Sequence, residues 1–303
     1  MIGRLRGQRM SLRAIAKQMG RSPSTITREL KRNRRKNGSY GSERAQEMTN
    51  VRRRKSRRKS HFTEEIRAFV LSKIREEWAP EQIEMWLKKN RSLSIAAKTL
   101  YRWIKKDRKT GGDLYCHLRQ ARKQRRKAYR SRDSRGKLAG KRHISTRPVE
   151  CAERLCYGHF ELDLVLGKVS RHCAITLVDR KTRFTVIRKI ENKTTEEVNR
   201  VLIPLISEFG IKTLTADNGC EFHGYKSVEG ATGVEFYFAT PHHSWERGTN
   251  ENTNGLIRQY LPKGMSMKNI PEEYFEFIQN RLNNRPRKVL DFFTPYEVAS
   301  RCA

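Results

Sequence analysis

Three acids, far apart in the chain, are the residues whose types and settings could do chemistry together. Asp163 lies inside HFELDLVL, residues 159–166, where Phe160, Leu162 and Leu164 alternate with Glu161, Asp163 and Val165. That alternation is the signature of a strand with two distinct faces. A carboxylate set among apolar strand residues costs free energy unless it is paired or holds a cation. Asp217 opens Asp-Asn-Gly directly after IKTLTA, residues 211–216. Taken alone, that tripeptide is ordinary turn chemistry. For the third acid, Glu251 on an expected helix competes with Glu246 in the His-rich loop before it. Asp179 also competes, but it sits in the hairpin turn DRKT and reads as structural. Three such carboxylates suit one task. They hold two Mg²⁺ or Mn²⁺ ions, typically about 3.5–4 Å apart, across a scissile phosphate. One ion activates the attacking hydroxyl and the other stabilises the leaving oxygen.

The elements that would bring these acids together follow from the pattern after Pro148. Residues 159–166, 172–178 and 183–190 read as three strands. Thr194 with Glu197 forms a capping box that opens a helix running to Gly210, with a kink or break expected at Pro204. Residues 211–216 and 234–239 are a fourth and fifth strand, and a helix follows from about residue 249 to residue 260. Three strands, helix, strand, short segment, strand, helix is the order of a ribonuclease-H-like α/β core. In such a core the first strand lies beside the fourth, so Asp163 and Asp217 become neighbours. Glu251 can then point at both. His242, His243 and Trp245 line the loop before Glu251, where they could position DNA or serve the structure.

The first half of the chain has a different character. The formal charge is +34 on 303 residues, and residues 1–150 carry +32 of it. A small-metabolite enzyme has no use for such an excess, whereas a polyanion partner neutralises it. Leu12, Ile15, Ala16 and Met19 share one helical face, with Ser11 as cap and Gly20 as stop. Ser22 caps a second helix with Pro23 at its first position and Ile26 and Leu30 inward. Ser24, Thr25 and Arg28 face outward, and this pair reads as a helix-turn-helix. Its candidate DNA contacts are Ser22, Ser24, Thr25, Thr27 and Arg28. A second helical cluster places Phe62, Ile66, Val70 and Ile74 on one helix, Ile83, Trp86 and Leu87 on the next, and Leu100, Trp103 and Ile104 on a third. Tyr101 and the tryptophans are expected in its core, and Thr99 and Arg102 are its candidate DNA contacts.

The expected organisation is therefore multi-domain α+β. A helix-turn-helix domain covers 1–50 and a basic linker 51–60. A second helix-turn-helix-type domain covers 61–115, a basic helix and linker 116–150, and the catalytic core 151–303. No apolar stretch is long enough to span a membrane, and MIGRLRGQRM lacks the apolar segment of a secretory signal. The six cysteines form no C-x-x-C pair, and Cys151, Cys156 and His159 match no common zinc spacing. Reduced thiols in an intracellular protein are expected. The absence of a phosphate-binding G-x-x-x-x-G-K-[ST] loop agrees with chemistry that needs no ATP.

These motifs carry a resemblance that runs from about residue 11 to residue 298. IAKQMGRSPSTITRELKRN resembles the first helix-turn-helix of the insertion-sequence-30 family of bacterial transposases. WAPEQI, TLYRWI and GGDLYCHLR resemble its second block, and LNNRPRKVLDFFTPYEV its C-terminal signature. GHFELDLVLGK, TADNGCEF and HHSWERGTNENTNGLIRQYLPKG hold Asp163, Asp217 and Glu251. Thirty-three residues separate Asp217 from Glu251, as in the family, and this favours Glu251 over Glu246. The resemblance implies a DNA transposase that binds double-stranded terminal repeats and target DNA. It also implies pairing of copies on two DNA ends and a cytoplasmic place beside the bacterial nucleoid. Arg258, two turns after Glu251, is implied to contact DNA near the cleaved phosphate. The chain departs from the family pattern at Leu162, where a Gly is usual, and at Ala96, where a Ser cap is usual. Only ten residues precede Ser11.

Overall fold

A computed structural model of the chain describes residues 1–34, 39–56, 62–119, 140–168, 172–241 and 243–302. The chain folds as two compact units, residues 1–61 and residues 62–303.

The first unit is helical, with α1 (Ile2–Gly7), α2 (Leu12–Gln18), α3 (Pro23–Asn33) and α4 (Ser42–Ser56). Leu5, Ile15, Ala16 and Ile26 form its core. The Ser11 hydroxyl accepts from the Ala14 N–H at 3.2 Å, and Ser22 accepts from the Thr25 N–H at 3.3 Å, so α2 and α3 each start on a side-chain cap. Gly20, at φ +60°, makes the turn between α2 and α3, a conformation an L side chain adopts only with strain. Two helices lie outside the sequence reading. α1 is too short for its spacing to be recognised, yet it supplies Leu5 to the core. α4 carries helix into the run expected as a linker, as far as Ser56, while 57–61 fall outside the described residues. Its anchor is Arg52, which donates to Asn33 Oδ1 at 2.6 Å, and the buried Asn33 donates to Glu29.

The second unit begins with α5 (Glu64–Arg75), α6 (Pro80–Arg91) and α7 (Ala97–Lys109). They close on Ile66, Val70, Ile74, Ile83, Leu87, Leu100 and Ile104, with Trp78 buried among them. Tyr101 is a correction to the sequence reading. It is 41% exposed and donates to Glu81, because Leu100 and Ile104 take the inner face of α7. Ala96 leaves the N-terminus of α7 without a side-chain cap, but Glu84 on α6 accepts from the Ala97 N–H at 2.8 Å. The basic helix expected after residue 116 falls mostly on 120–139, outside the described residues.

A short α8 (Val149–Ala152) leads into β1 (His159–Leu166), β2 (Cys173–Asp179) and β3 (Thr185–Ile190). Then come α9 (Thr195–Glu208), β4 (Thr213–Ala216), α10 (Tyr225–Thr232) and β5 (Glu235–Phe238), followed by α11 (Gly248–Ile257), α12 (Glu272–Asn283) and α13 (Pro295–Ala299). The five strands form one sheet in the order β3-β2-β1-β4-β5. β1, β2 and β3 pair antiparallel, while β4 is parallel to both β1 and β5. Phe160, Leu162 and Leu164 pack with Ile175, Leu202 and Val228 on one face of the sheet. Val165 packs with Ile187, Leu256, Phe275 and Ile278 on the other. The alternation in β1 thus puts Asp163 on the face covered by α11 and α12.

α9 runs through Pro204 without a break. Pro204 is exposed, and Leu202, Leu205 and Ile206 hold the flanking turns in the core, so burial outweighs the missing N–H. Only half of the expected capping box forms. Thr194 accepts from the Glu197 N–H, but the Glu197 carboxylate takes the Arg200 guanidinium at 2.7 and 2.9 Å. Both outer strands have their spare donors occupied. The Thr185, Ile187 and Lys189 N–H groups of β3 donate to Asn283, Gln279 and Glu272 of α12 at 2.9, 3.0 and 3.2 Å. On the other side, the Phe238 N–H of β5 donates to the Arg142 carbonyl at 2.9 Å.

Candidate active site

The β1–β4 register pairs His159 with Thr213 and Glu161 with Thr215. Continued by two residues, that offset sets Asp163 opposite Asp217, just past the end of β4. Both acids, together with Glu251 of α11, line one cavity of about 550 Å³. Glu251, Asn254 and Arg258 all line it too, as i, i+3 and i+7 positions of one helix face require.

A single guanidinium joins the two aspartates. Arg247 reaches Asp163 Oδ2 at 3.0 Å through Nη2 and Asp217 Oδ2 at 3.4 Å through Nη1. Its Nη2 also donates to the Leu162 carbonyl at 3.0 Å. Asp163 Oδ2 accepts a further bond from Asn254 Nδ2 at 2.8 Å, and Oδ1 accepts the Leu164 N–H at 2.9 Å. Asp217 Oδ1 accepts the Gly219 N–H at 2.8 Å. Burial pushes the Asp163 carboxyl above the usual aspartate range against the pull of Arg247, and Asp217 adds to the push. Glu251 is exposed, and its carboxylate has no hydrogen-bond or ion-pair partner among the described residues.

The competing acids serve the scaffold. Glu246 accepts the N–H and hydroxyl of Thr240 at 2.8 and 3.0 Å and closes its own loop. Asp179 accepts from the N–H groups of Gly158, Lys181 and Thr182 and from the Thr182 hydroxyl.

Two residues that shape the site escaped the sequence reading. Glu161 is fully buried and takes the Arg180 guanidinium on Oε1 and the Asn250 N–H, at 3.0 Å, on Oε2. It thereby ties the first turn of α11 to β1. Its signal was present, since it shares a strand face with Asp163. Arg247 stands just before α11, at the end of the 3₁₀ segment, and its bridge between the two aspartates left no signal in the sequence.

The donor set is all oxygen. Besides the three carboxylates, the amide oxygens of Asn250 and Asn254 are buried with no hydrogen-bond partner. Arg247, Arg258 and Lys263 line the same cavity as the three carboxylates, so its formal charges balance. Hard oxygens of carboxylate and amide type are the donors that a divalent cation such as Mg²⁺ or Mn²⁺ takes. The acids are not arranged as a closed cage, however. No group of three His, Cys, Asp or Glu side chains among the described residues is set to hold a metal ion. The same holds for Cys151, Cys156 and His159, and all six cysteines are free thiols.

The remaining sequence candidates are placed as follows. Arg258 lines the cavity, but its guanidinium donates to the carbonyls of Leu166 and Leu261 at 2.9 and 3.2 Å, and burial lowers its pKa. Trp245 is 70% exposed and stacks on His243 with ring centres 4.3 Å apart. His242 lies outside the described residues. In the first unit, Ser22, the cap of α3, and Ser24, Thr25, Thr27 and Arg28 on that helix are all exposed. Local bonds already engage several of these groups. Ser22 Oγ meets Ser24 and Thr25, Thr27 Oγ1 donates to the Pro23 carbonyl, and Arg28 Nε donates to the Ser24 carbonyl. Thr99 and Arg102 are exposed on α7 of the second unit. No described helix is long and apolar enough to cross a membrane.

Comparison with known proteins identifies the family. Residues 1–33 match a family described as a helix-turn-helix domain. Over 95% of its length the chain is 38% identical to the transposase for insertion sequence element IS4351 of Bacteroides fragilis, covering 89% of that protein. It is 35% identical over 96% of its length to the transposase for insertion sequence element IS1086 of Cupriavidus metallidurans, again covering 89%. With a transposase of the insertion sequence 30 elements of Escherichia coli K12 it shares 38% identity over 97% of its length, covering 79% of that relative. Likeness of this depth along nearly the whole chain, with a helix-turn-helix at its start, shows that the protein belongs to the insertion-sequence-30 family of transposases.

Proposed function

We propose that the protein is a DNA transposase in which residues 1–50 and 61–115 bind the terminal inverted repeats of its element. Residues 51–60 and 116–150 track phosphates between these parts. Residues 151–303 form a ribonuclease-H-like core that cuts and joins DNA. The observation that carries this reading is the meeting of Asp163, Asp217 and Glu251 on the wall of one cavity. Two Mg²⁺ or Mn²⁺ ions held there would supply charge neutralisation at the phosphate and a hydroxyl ionised at neutral pH.

The chain's own residues do the rest. Asn254 fixes the carboxylate of Asp163, and Gly219 fixes that of Asp217. Glu161 holds the start of α11, and with it the placement of Glu251. Arg258 and Lys263 put positive charge on the same cavity wall, where a DNA phosphate would lie. In the first step water forms a bond to phosphorus and the 3′ oxygen leaves. In the second, the released 3′-hydroxyl forms a bond to a target phosphorus and the target's own 3′ oxygen leaves with the proton, so the protein forms no covalent bond to DNA. Two copies, one on each element end, complete the reaction.

The test is cleavage of labelled element-end DNA in Mg²⁺. Asp217→Asn is expected to lower the rate by about a thousandfold or more, since it removes a group on which the transition state depends. Equal cleavage by wild type and Asp217→Asn would show the assignment of the acids to be wrong.

A further inference from the structure

Lone pairs on Asp163 are the starting point. Each carboxylate oxygen has two acceptor sites. Asp163 Oδ2 spends both, one on Arg247 and one on Asn254. Asp217 Oδ2 is engaged by the same guanidinium. Arg247 therefore holds one oxygen of each aspartate.

We infer that Arg247 is an internal competitor of the divalent cation: it bridges the Asp163–Asp217 pair in the metal-free protein and must release it before metal binds, so it sets the metal affinity. The inference rests on the metal-binding reading above. Two further features support it. The Arg247 side chain is buried, yet its Nε has no hydrogen-bond partner. Its hold on the site thus consists of the two acids and one carbonyl, rather than a pocket built around all its donors. Arg247 also stands at the joint between the short 3₁₀ segment Ser244–Arg247 and α11. It lines the open cavity, so its long side chain can swing away while the backbone of α11 stays pinned by Glu161. Without Arg247 the two acids would repel each other across the sheet, and the open acceptor sites would favour a cation more strongly.

The experiment measures Mn²⁺ binding to the full-length chain without DNA, from the spin-resonance signal of free Mn²⁺. Wild type is compared with Arg247→Gln, Arg247→Lys and Asp217→Asn. Arg247→Gln is expected to bind about tenfold more tightly or better, since a full charge within contact distance of the ligands is removed. Arg247→Lys keeps the charge and should stay within about threefold of wild type. Asp217→Asn should bind more weakly. If Arg247→Gln binds no more tightly than wild type while Asp217→Asn is weakened, the competition is refuted and the metal reading stands. Equal binding by wild type and Asp217→Asn removes the metal reading, and this inference with it. Should Arg247→Gln fail to fold, a crystal structure of the wild type soaked in Mn²⁺ decides the matter. The guanidinium is expected beyond ion-pair distance of both aspartates. A guanidinium still bridging them beside bound metal overturns the inference.

Discussion

Glu161 sits two residues before Asp163 on the same face of β1, yet no part of it reaches the cavity. Its two oxygens answer Arg180 and the first turn of α11. Removing one partner of a buried ion pair leaves the other uncompensated. Glu161→Gln should therefore cost about 3–5 kcal/mol of stability, read as a lower urea midpoint. The effect on cleavage should exceed what unfolding explains, because Glu251 loses its fixed starting point. The three acids themselves were legible in the sequence. Asp163 interrupts an apolar strand, Asp217 ends one, and Glu251 follows at a known spacing. The bridging role of Arg247 was not legible, because it exists only when β1, β4 and the loop before α11 meet in space.

At the scale of elements, the strands and most of the longer helices announced themselves by period, because each buries one face. α1, α4 and α12 lay outside the sequence reading, α12 although it buries Phe275, Ile278 and Leu282. Among the described residues, α1 buries only Leu5 and α4 only Ala45, too little to leave a periodic trace. The break expected at Pro204 did not occur, for a related reason. A local signal was outweighed by the packing of α9 on the sheet. Helix interiors disfavour Pro by about 3 kcal/mol relative to Ala. Pro204→Ala is therefore expected to raise stability, by about 1–3 kcal/mol since the turn has already adapted. A higher melting temperature with unchanged DNA cleavage is the outcome to look for. Unchanged or lower stability would mean that α9 had relaxed fully around the ring.

For the whole molecule, the charge sorts by task. Nearly all of the +34 lies on residues 1–150, and the sheet and its helices are close to neutral. Binding that depends on such a surface weakens steeply with salt, because each phosphate neutralised releases counterion. Arg28 commits only its Nε to the Ser24 carbonyl, which leaves the rest of its exposed guanidinium for DNA. If it meets a phosphate, Arg28→Ala should weaken binding to all sequences alike and lower the salt slope by about one. A loss confined to element-end sequences would instead mean a base contact.

The occupied margins of the sheet bear on how copies of this protein meet. An open strand margin is a template for another chain's strand, and crowding on two DNA ends would favour such exchange. Here α12 answers the outward N–H groups of β3, and the Arg142 carbonyl answers β5. If copies pair on DNA, these margins offer them no free strand N–H groups, and a contact made through helices and loops can part when the DNA is joined without tearing a shared sheet.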